Sequence, residues 1–160
     1  MKKILDACCG SRMFWFNKNH PDAVYMDNRS EEHILCDGRR LTINPDIEMD
    51  FRNMEFSDNT FHLVIFDPPH LIKLGKNSWM AKKYGVLSET WQEDIKKGFD
   101  ECWRVLKENG TLIFKWNERD VKINEIINLI GKAPLFGHTT KSGGYTIWMC
   151  FMKVGGGESL

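Results

Sequence analysis

The sequence predicts an α/β fold built on a mainly parallel sheet with helices on both faces. Short apolar segments alternate with helical patterns along most of the chain, and this alternation is typical of strands joined by helical crossovers. Near the end, two apolar segments are separated only by Lys-Ser-Gly-Gly, residues 141–144, which indicates a closing hairpin. The last strand is therefore expected to run antiparallel.

The first half of the chain contains four predicted strands, and each has an acidic residue at or near its end. The earliest, residues 4–7, includes Asp6 and runs into the turn CCGS; a predicted helix at 12–19 follows and ends before His20-Pro21. Residues 60–66, TFHLVIF, have the strongest strand pattern because β-branched and aromatic residues dominate them. The other two strands are 23–26 and 47–49, and the three later strands are followed by Asp27, Asp50 and Asp67.

The second half continues the alternation. Within the first half, residues 34–42 predict only short and less regular structure. Residues 88–108 carry apolar side chains at helical spacing, with Ser88 as the expected N-cap and Asn109-Gly110 as the end of the helix. The elements expected after it are a strand at 111–116, a helix at 121–130 and hairpin strands at 135–139 and 145–154.

Length and composition favour one globular domain, residues 1–154, followed by a flexible tail at 155–160. The 160 residues are 42% hydrophobic, and 22 basic residues balance 22 acidic ones, so net charge indicates no global attraction to nucleic acid or membranes. The five cysteines show no CxxC spacing, and no apolar run approaches the roughly 18–20 residues that span a bilayer. We therefore expect a cytoplasmic protein with free thiols, no membrane segment and no metal site.

A glycine-containing turn and the acidic strand ends together indicate a nucleoside ligand. In LDACCGS, Gly10 permits backbone N–H groups to approach a ligand closely, although a well-packed turn of small residues has the same pattern. Asp27 is placed to accept hydrogen bonds from two ribose hydroxyls, and Asp50 from an adenine amino group, while Phe51 covers the ring. Each acid alone is more often a turn or cap residue. Their shared position at the ends of parallel strands is what indicates one site.

These segments resemble those of the class I AdoMet-dependent methyltransferases over nearly the whole chain. LDACCGS is similar to their cofactor loop, YMDNR to their ribose-binding strand end, MDFRNMEFSDNTFHLVIFDPP to their third and fourth strands, and GTLIFKWNE with the hairpin to their last three. The resemblance implies a Rossmann-like three-layer sandwich, a seven-stranded sheet with an antiparallel last strand, and AdoMet as cofactor. The cofactor contacts that it implies are Asp6, Ala7, Cys8, Gly10, Asp27, Asp50, Phe51 and Asp67. Cys8 and Arg12 stand where many members have glycine, so the turn departs from the family pattern there.

The fourth strand ends in Asp-Pro-Pro-His, which resembles the (D/N/S)PP(Y/F/W) signature of amino-methyltransferases acting on adenine N6, cytosine N4 or a glutamine amide. The lone pair of such an amine is delocalised, and two acceptors that hold its N–H bonds favour a more nucleophilic nitrogen. The resemblance implies that the Asp67 carboxylate and the Pro68 carbonyl are these acceptors, while Pro68 and Pro69 restrict the backbone. His70 stands where the family has a flat aromatic that stacks on an extruded base, and imidazole stacks with less area.

The segment after this motif combines lysines with aromatic residues. This composition is typical of loops that face nucleic acid, and equally of a solvated, mobile lid. Lys115 and Trp116, at the end of the fifth strand, are expected to face the same cleft, although an ordinary strand end explains Lys115 as well. The candidate substrate-binding residues are Lys73, Lys76, Trp79, Lys82, Lys83, Tyr84, Lys115 and Trp116.

The sequence thus predicts an AdoMet-dependent N-methyltransferase acting on an exocyclic amine of a nucleic-acid base, with adenine N6 favoured and DNA preferred to RNA. The residues expected to be catalytic are Asp67, Pro68, Pro69 and His70. No target-recognition segment is evident, so either the lysine-rich segment or a partner, including a second copy of the chain, is expected to read the substrate. The alternatives are a small-molecule or protein methyltransferase on the same scaffold, a non-catalytic AdoMet-binding subunit, and a nicotinamide-binding domain.

Overall fold

The computed structural model describes residues 2–72, 78–138 and 145–155. The strands are β1 (Ile4–Asp6), β2 (Ala23–Asp27), β3 (Glu31–Ile34), β4 (Arg40–Ile43), β5 (Ile47–Glu48), β6 (Phe61–Phe66), β7 (Leu106–Asn117), β8 (Phe136–Gly137) and β9 (Thr146–Met152). The helices are α1 (Trp79–Tyr84), α2 (Trp91–Val105) and α3 (Ile123–Ile130). The predicted hairpin turn at 141–144 and most of the predicted tail lie outside the described residues.

Seven strands form one sheet in the order β5-β2-β1-β6-β7-β9-β8, and β3 pairs separately with β4. The neighbours from β5 to β7 are parallel, whereas β9 is antiparallel to both β7 and β8. This confirms the predicted α/β fold with its antiparallel last strand. The chain builds outward from β1 to β5 and then returns to β6 on the other side of β1. The connections therefore diverge beside β1, and a crevice opens at the carboxyl ends of the strands there.

The main core lies between the sheet and the helices α2 and α3. Alternate residues of β7, namely Leu112, Phe114 and Trp116, are fully buried on this face, where Ile95 and Phe99 of α2 join the same cluster. Burial of each such side chain stabilises the fold by roughly 1.5–3 kcal/mol. Because this cluster holds the central strands in register, it also aligns the strand ends that carry the acidic residues.

A loop covers the opposite face of β1 and β2, and the helix predicted for residues 12–19 is wrong. Gly10 and Arg12 have positive φ angles, 49° and 54°, which a right-handed helix excludes. The Arg12 guanidinium lies 3.7 Å from the centre of the Tyr25 ring and donates a hydrogen bond of 2.7 Å to the backbone oxygen of Lys18. This side chain satisfies the Lys18 carbonyl, so a backbone acceptor of the segment is paired without helical structure.

Two aromatic side chains fasten this loop to the sheet. Trp15 packs edge-on against Tyr25 of β2, with 4.9 Å between ring centroids, and Phe14 packs edge-on against Trp148 of β9 at 5.4 Å. Such pairs contribute about 0.5–1.5 kcal/mol beyond the area that they bury. The loop consequently spans the sheet from β1 to β9 and forms one wall of the crevice.

Two further local predictions differ from the structure. Where the sequence predicts short irregular structure at 34–42, β3 and β4 form an antiparallel hairpin. The predicted Ser88 cap is also wrong: α2 has Thr90 as its N-cap, and the Ser88 hydroxyl donates to Asp94 at 2.5 Å. Asn109-Gly110, the predicted helix end, lies inside β7, since α2 already ends at Val105.

Helix α1 was not predicted; the other helices and strands follow in the predicted order. Across the described ranges, every helix is too short or too polar to cross a lipid bilayer.

Candidate active site

A cleft lies at the carboxyl ends of β1, β2, β5 and β6, where the sheet topology opens the crevice. The loop after β1 forms one wall and α1 contributes to the opposite one. The residues that line the cleft are Ala7, Cys8, Cys9, Gly10, Ser11, Met13, Phe14, Asp27, Asn28, Arg29, Phe51, Asp67, Pro68, Pro69, His70, Lys83 and Tyr84. The structure therefore brings the predicted glycine turn, one predicted acid of β2 and the whole Asp-Pro-Pro-His motif into one site.

The turn after β1 is tied to the strands on both sides. The Ala7 N–H donates to the Ile65 carbonyl at 2.9 Å, and the Cys9 N–H donates to the Met26 carbonyl at 2.8 Å. At Gly10, an added Cβ would meet no atom within 4 Å, although the positive φ angle disfavours any side chain there. The turn is therefore rigid at its base and leaves open space at Gly10, as the floor of a ligand cradle requires.

Asp27 is the best-organised acid of the cleft. Its side chain is only 5% exposed, and it accepts a hydrogen bond of 2.9 Å from the Gly10 N–H and two of 3.1 Å from the backbone and side chain of Arg29. Arg29 also donates to the Lys82 carbonyl of α1 at 3.0 Å. The carboxylate is thus held in one orientation, and the same arginine ties the end of β2 to the short helix over the cleft.

Phe51 presents its ring to the cleft and is supported from behind by the core. It packs edge-on against Phe66, with 5.4 Å between centroids. Gly98 of α2 lies close to both rings, and an added Cβ there would stand 2.5 Å from Phe51 Cδ2 and 2.8 Å from Phe66 Cζ. The neighbouring Asp50 instead turns to Arg52, whose backbone N–H and guanidinium donate to it at 2.8 and 3.0 Å. Those hydrogen bonds lower the pKa of Asp50. Asp50 is not among the residues that line the cleft, and its contact with an adenine stays a prediction.

Asp6 lies beneath the floor of the cleft. It is fully buried, and the Trp15 indole N–H donates to its Oδ2 at 2.7 Å. Burial raises the pKa of Asp6 to about 7, although the hydrogen bond from Trp15 opposes the shift. The carboxyl group anchors the loop after β1 from below, and its predicted contact with a cofactor stays a prediction.

The Asp-Pro-Pro-His motif follows directly on β6 and opens into the cleft. The Lys115 ammonium of β7 donates to Asp67 Oδ2 at 2.6 Å, and both side chains are only 17% exposed. Burial raises the pKa of Asp67, while the charge and hydrogen bond of Lys115 act in the opposite direction. Asp67 is therefore a half-buried carboxyl group paired with the Lys115 ammonium.

His70 sits at the back of this motif as a neutral ring. Burial, reinforced by the nearby charge of Lys115, lowers the pKa of His70 to about 4, so the imidazole is uncharged at neutral pH. The ring is 5.8 Å from that of Tyr84 and 6.3 Å from that of Trp116, measured between centroids. Trp116 itself is fully buried and donates to the Val121 carbonyl at 3.0 Å, so it supports His70 from the core and does not line the cleft.

A second pocket adjoins the cleft on the side of β7 and β9. It shares Met13, Asp67, His70 and Tyr84 with the cleft. The side chains that it adds are Met80, Lys115, Asn117 and Thr146. Two compartments therefore meet at Asp67 and His70, one leading to the glycine turn and the other to the end of β7.

The lysine-rich segment is partly helical. Lys73 and Lys76 lie outside the described residues, but 79–84 form α1, which Ser78 caps by accepting a hydrogen bond from the Met80 N–H at 3.3 Å. Lys83 and Tyr84 reach the cleft, whereas Trp79 is 46% exposed and neither it nor Lys82 lines it. Ser78 before the segment and Gly85 after it are the sequence signals that could have predicted this helix. In the structure Gly85 has a positive φ angle of 74°.

Six lining residues were not predicted as site residues: Cys9, Ser11, Met13, Phe14, Asn28 and Arg29. For Arg29 a signal existed, because an aspartate commonly accepts a hydrogen bond from the backbone N–H two residues later, as Asp27 does here. Met13 and Phe14 enter the cleft only because the loop after β1 crosses the sheet, and no local pattern predicts that path.

Solved structures with the same fold include a SAM-dependent methyltransferase from Leishmania major, the N-methyltransferase NodS from Bradyrhizobium japonicum and a SAM-dependent methyltransferase from Methanosarcina mazei. They are 14%, 13% and 11% identical to this chain, with TM-scores of 0.52, 0.53 and 0.54. The similarity covers 94%, 96% and 96% of this chain, and 64%, 86% and 94% of theirs, so the chain spans less than two thirds of the Leishmania protein. At such identities the likeness shows the fold alone. No family model matches the chain, and no curated protein matches its sequence.

Proposed function

We propose that this protein is an AdoMet-dependent N-methyltransferase that methylates an exocyclic amine of a nucleic-acid base, with adenine N6 as the favoured acceptor. The observation that carries the proposal is that Asp67, Pro68 and His70 line the same cleft as Gly10 and Asp27. A turn suited to binding a nucleoside thus lies next to a motif suited to binding an amine. The fold shared with three methyltransferases, one of them an N-methyltransferase, adds support.

The residues of the glycine-turn compartment fit AdoMet. The open space at Gly10 admits a ligand against the backbone. The oriented Asp27 carboxylate already accepts three hydrogen bonds and, with about four acceptor sites, retains one for a ribose hydroxyl. The Phe51 ring supplies a flat apolar surface for an adenine. When bound, AdoMet supplies a methyl group on a sulfonium, and this group passes to an amine nitrogen as the C–S bond breaks and an N–C bond forms.

The motif residues orient the amine. The Asp67 carboxylate accepts one N–H and the Pro68 carbonyl accepts the other, so the nitrogen lone pair is directed out of the plane of the base. After transfer the nitrogen carries an additional positive charge and releases a proton to solvent. The neutral His70 ring gives the base an uncharged surface to pack against, and it lies at the junction of the two compartments.

Lys83 and Tyr84 support a nucleic acid as the carrier of that base. The Lys83 ammonium lies 5.0 Å from the Tyr84 ring centroid at the mouth of the cleft, which combines a phosphate partner with a stacking surface. DNA is preferred to RNA, and a specificity partner or a second copy of the chain completes recognition.

A second candidate is methylation of a small molecule. It is favoured by the second pocket between Met80 and Tyr84 of α1 and Thr146 of β9, which gives a compact acceptor a place beside Asp67. The NodS structure shows that this fold serves at least one N-methyltransferase.

The test is transfer of labelled methyl from AdoMet into DNA, RNA, protein and small-molecule pools, followed by mass analysis of the nucleosides. N6-methyladenine supports the proposal, whereas label only in protein or small molecules supports the second candidate. Asp67→Ala should lower the rate by about 10²–10³-fold, the typical effect of losing one oriented hydrogen-bonding group, while calorimetry still detects AdoMet binding. Asp22→Ala, at an exposed acid outside the cleft, is the matched control. Equal rates in both variants would contradict the assigned role of Asp67.

A further inference from the structure

Lys115 occupies a position that direct binding of substrate, its predicted role, does not explain. It extends from β7 toward Asp67, and the parallel register that pairs Phe66 with Phe114 places the next residues of the two strands side by side. Its ammonium lies 5.5 Å from the Phe14 ring centroid and 5.6 Å from that of Trp148. Two aromatic faces and one carboxylate thus hold a lysine that is only 17% exposed.

Stability alone gives little reason for such a pair. Removing two charges from water costs several kcal/mol per ion, and their attraction often only offsets that cost, so a pair of apolar residues of similar volume would often serve the fold as well. The pair is also located where the two compartments of the site meet, and not in the core. Its location therefore indicates a role in the reaction.

We propose that Lys115 is a positioning residue that holds Asp67 as the hydrogen-bond acceptor for the target amine. The contact is specific to one oxygen: Lys115 binds Oδ2, which leaves Oδ1 for an incoming N–H. The inference rests on the proposed function and assigns Lys115 to the support of the amine-binding motif, in place of direct contact with the substrate.

The charges around Asp67 explain why a cation is needed. From β1 and the turn after it, Asp6 and the Cys8 thiol interact electrostatically with Asp67, and each would repel its negative charge when ionised. His70, on the same segment, is neutral at pH 7 and offers no compensating charge. Burial raises the pKa of Asp67, and Lys115 is the group that lowers it. Without Lys115 the carboxyl group would bind a proton at higher pH and lose acceptor capacity.

The first test measures Asp67 itself, without any methyl acceptor. Carboxyl-carbon NMR titration, assigned with Asp67→Asn, is carried out on the wild type, Lys115→Met and Lys115→Arg. Methionine keeps the apolar stem between Phe14 and Trp148 but removes the charge, so we expect the pKa of Asp67 to rise by on the order of one to three units. Arginine should restore most of the wild-type value. An unchanged titration in Lys115→Met overturns the proposal.

The second test uses the pH dependence of methyl transfer. The acceptor form of Asp67 is the ionised one, so activity is present above its pKa, and the acidic limb of the kcat profile should move to higher pH in Lys115→Met. At pH values below the new limb, the rate should fall about tenfold per unit. Arginine should return the limb toward the wild-type position. Lys107→Met, at the opposite end of β7 beside His62, is the matched control and should keep the wild-type profile.

The outcomes separate the two proposals. A higher KM for the acceptor with an unmoved acidic limb would show that Lys115 binds substrate directly, and would overturn the positioning role. No methyl transfer by the wild type, together with a shifted Asp67 titration in Lys115→Met, would refute the proposed function while the Lys115–Asp67 coupling stands. If Lys115→Met does not fold, Lys115→Gln replaces the charge with a neutral polar group and yields the same comparison.

Discussion

Gly98→Ala tests whether the core of this protein shapes its cleft. Gly98 lies inside α2 behind the Phe51 ring, and an added Cβ would stand 2.5 and 2.8 Å from two Phe51 carbons and 2.8 Å from Phe66 Cζ. Carbon atoms pack favourably at about 3.5–4.0 Å, so the Phe51 ring must move toward the cleft by roughly 1 Å. A methyl group added to a helix thereby displaces a ring that lines the ligand site.

The magnitude follows from two opposing contributions. Overpacking of a core costs about 1–3 kcal/mol, while alanine in a helix interior is about 0.8–1 kcal/mol more favourable than glycine. We therefore expect the free energy of unfolding, from urea titration, to fall by up to about 2 kcal/mol. We also expect calorimetry to show weaker AdoMet binding, because the flat surface at Phe51 is displaced.

A double-mutant cycle isolates the cause. In a Phe51→Ala background most of the clash is absent, so the added methyl should cost less than it does beside Phe51, with Phe66 as the remaining close contact. The reasoning is refuted if Gly98→Ala raises stability and leaves AdoMet affinity unchanged. An equal cost of Gly98→Ala in both backgrounds would show that the clash with Phe51 is not its origin.

Two further predictions concern the supports of the cleft. Asp6 has a folded-state pKa raised from 3.8 to about 7, so between these pH values the folded protein keeps a proton that the unfolded chain has released. The free energy of unfolding should therefore decrease as pH rises from about 4 to 7 and then level off. Asp6→Asn, which keeps an acceptor for Trp15, should flatten this part of the stability curve in urea titrations at several pH values; an unchanged slope would contradict the assignment. Arg29→Met removes the donor that joins Asp27 to the Lys82 carbonyl, and amide hydrogen exchange in α1 should accelerate by on the order of tenfold, with the core helix α2 as the internal reference. Equal protection of α1 in the variant would show that this tie does not hold the helix.

Much of the fold was predictable because its signals are local. The apolar run TFHLVIF forms β6, and the helical stripe around Ile95 and Phe99 forms the buried face of α2. Acidic residues at strand ends were also a sound signal, since Asp27 and Asp67 both line the cleft. The same rule placed Asp50 there, but its carboxylate pairs with Arg52, two residues later. The position of a residue at a strand end thus predicts where its backbone lies, and not which group its side chain binds.

The sequence by itself determined the alternation of elements, the glycine turn at Gly10 and the Asp-Pro-Pro-His motif, because each depends on residues within a few positions of one another. Only the tertiary structure decided that residues 12–19 form a loop, since Arg12 binds β2 and Asp46 as well as the Lys18 carbonyl of its own segment. It also decided that Asp67 meets Lys115, 48 positions away. Such pairings follow from strand register and from the packing that holds it, and these are properties of the assembled sheet.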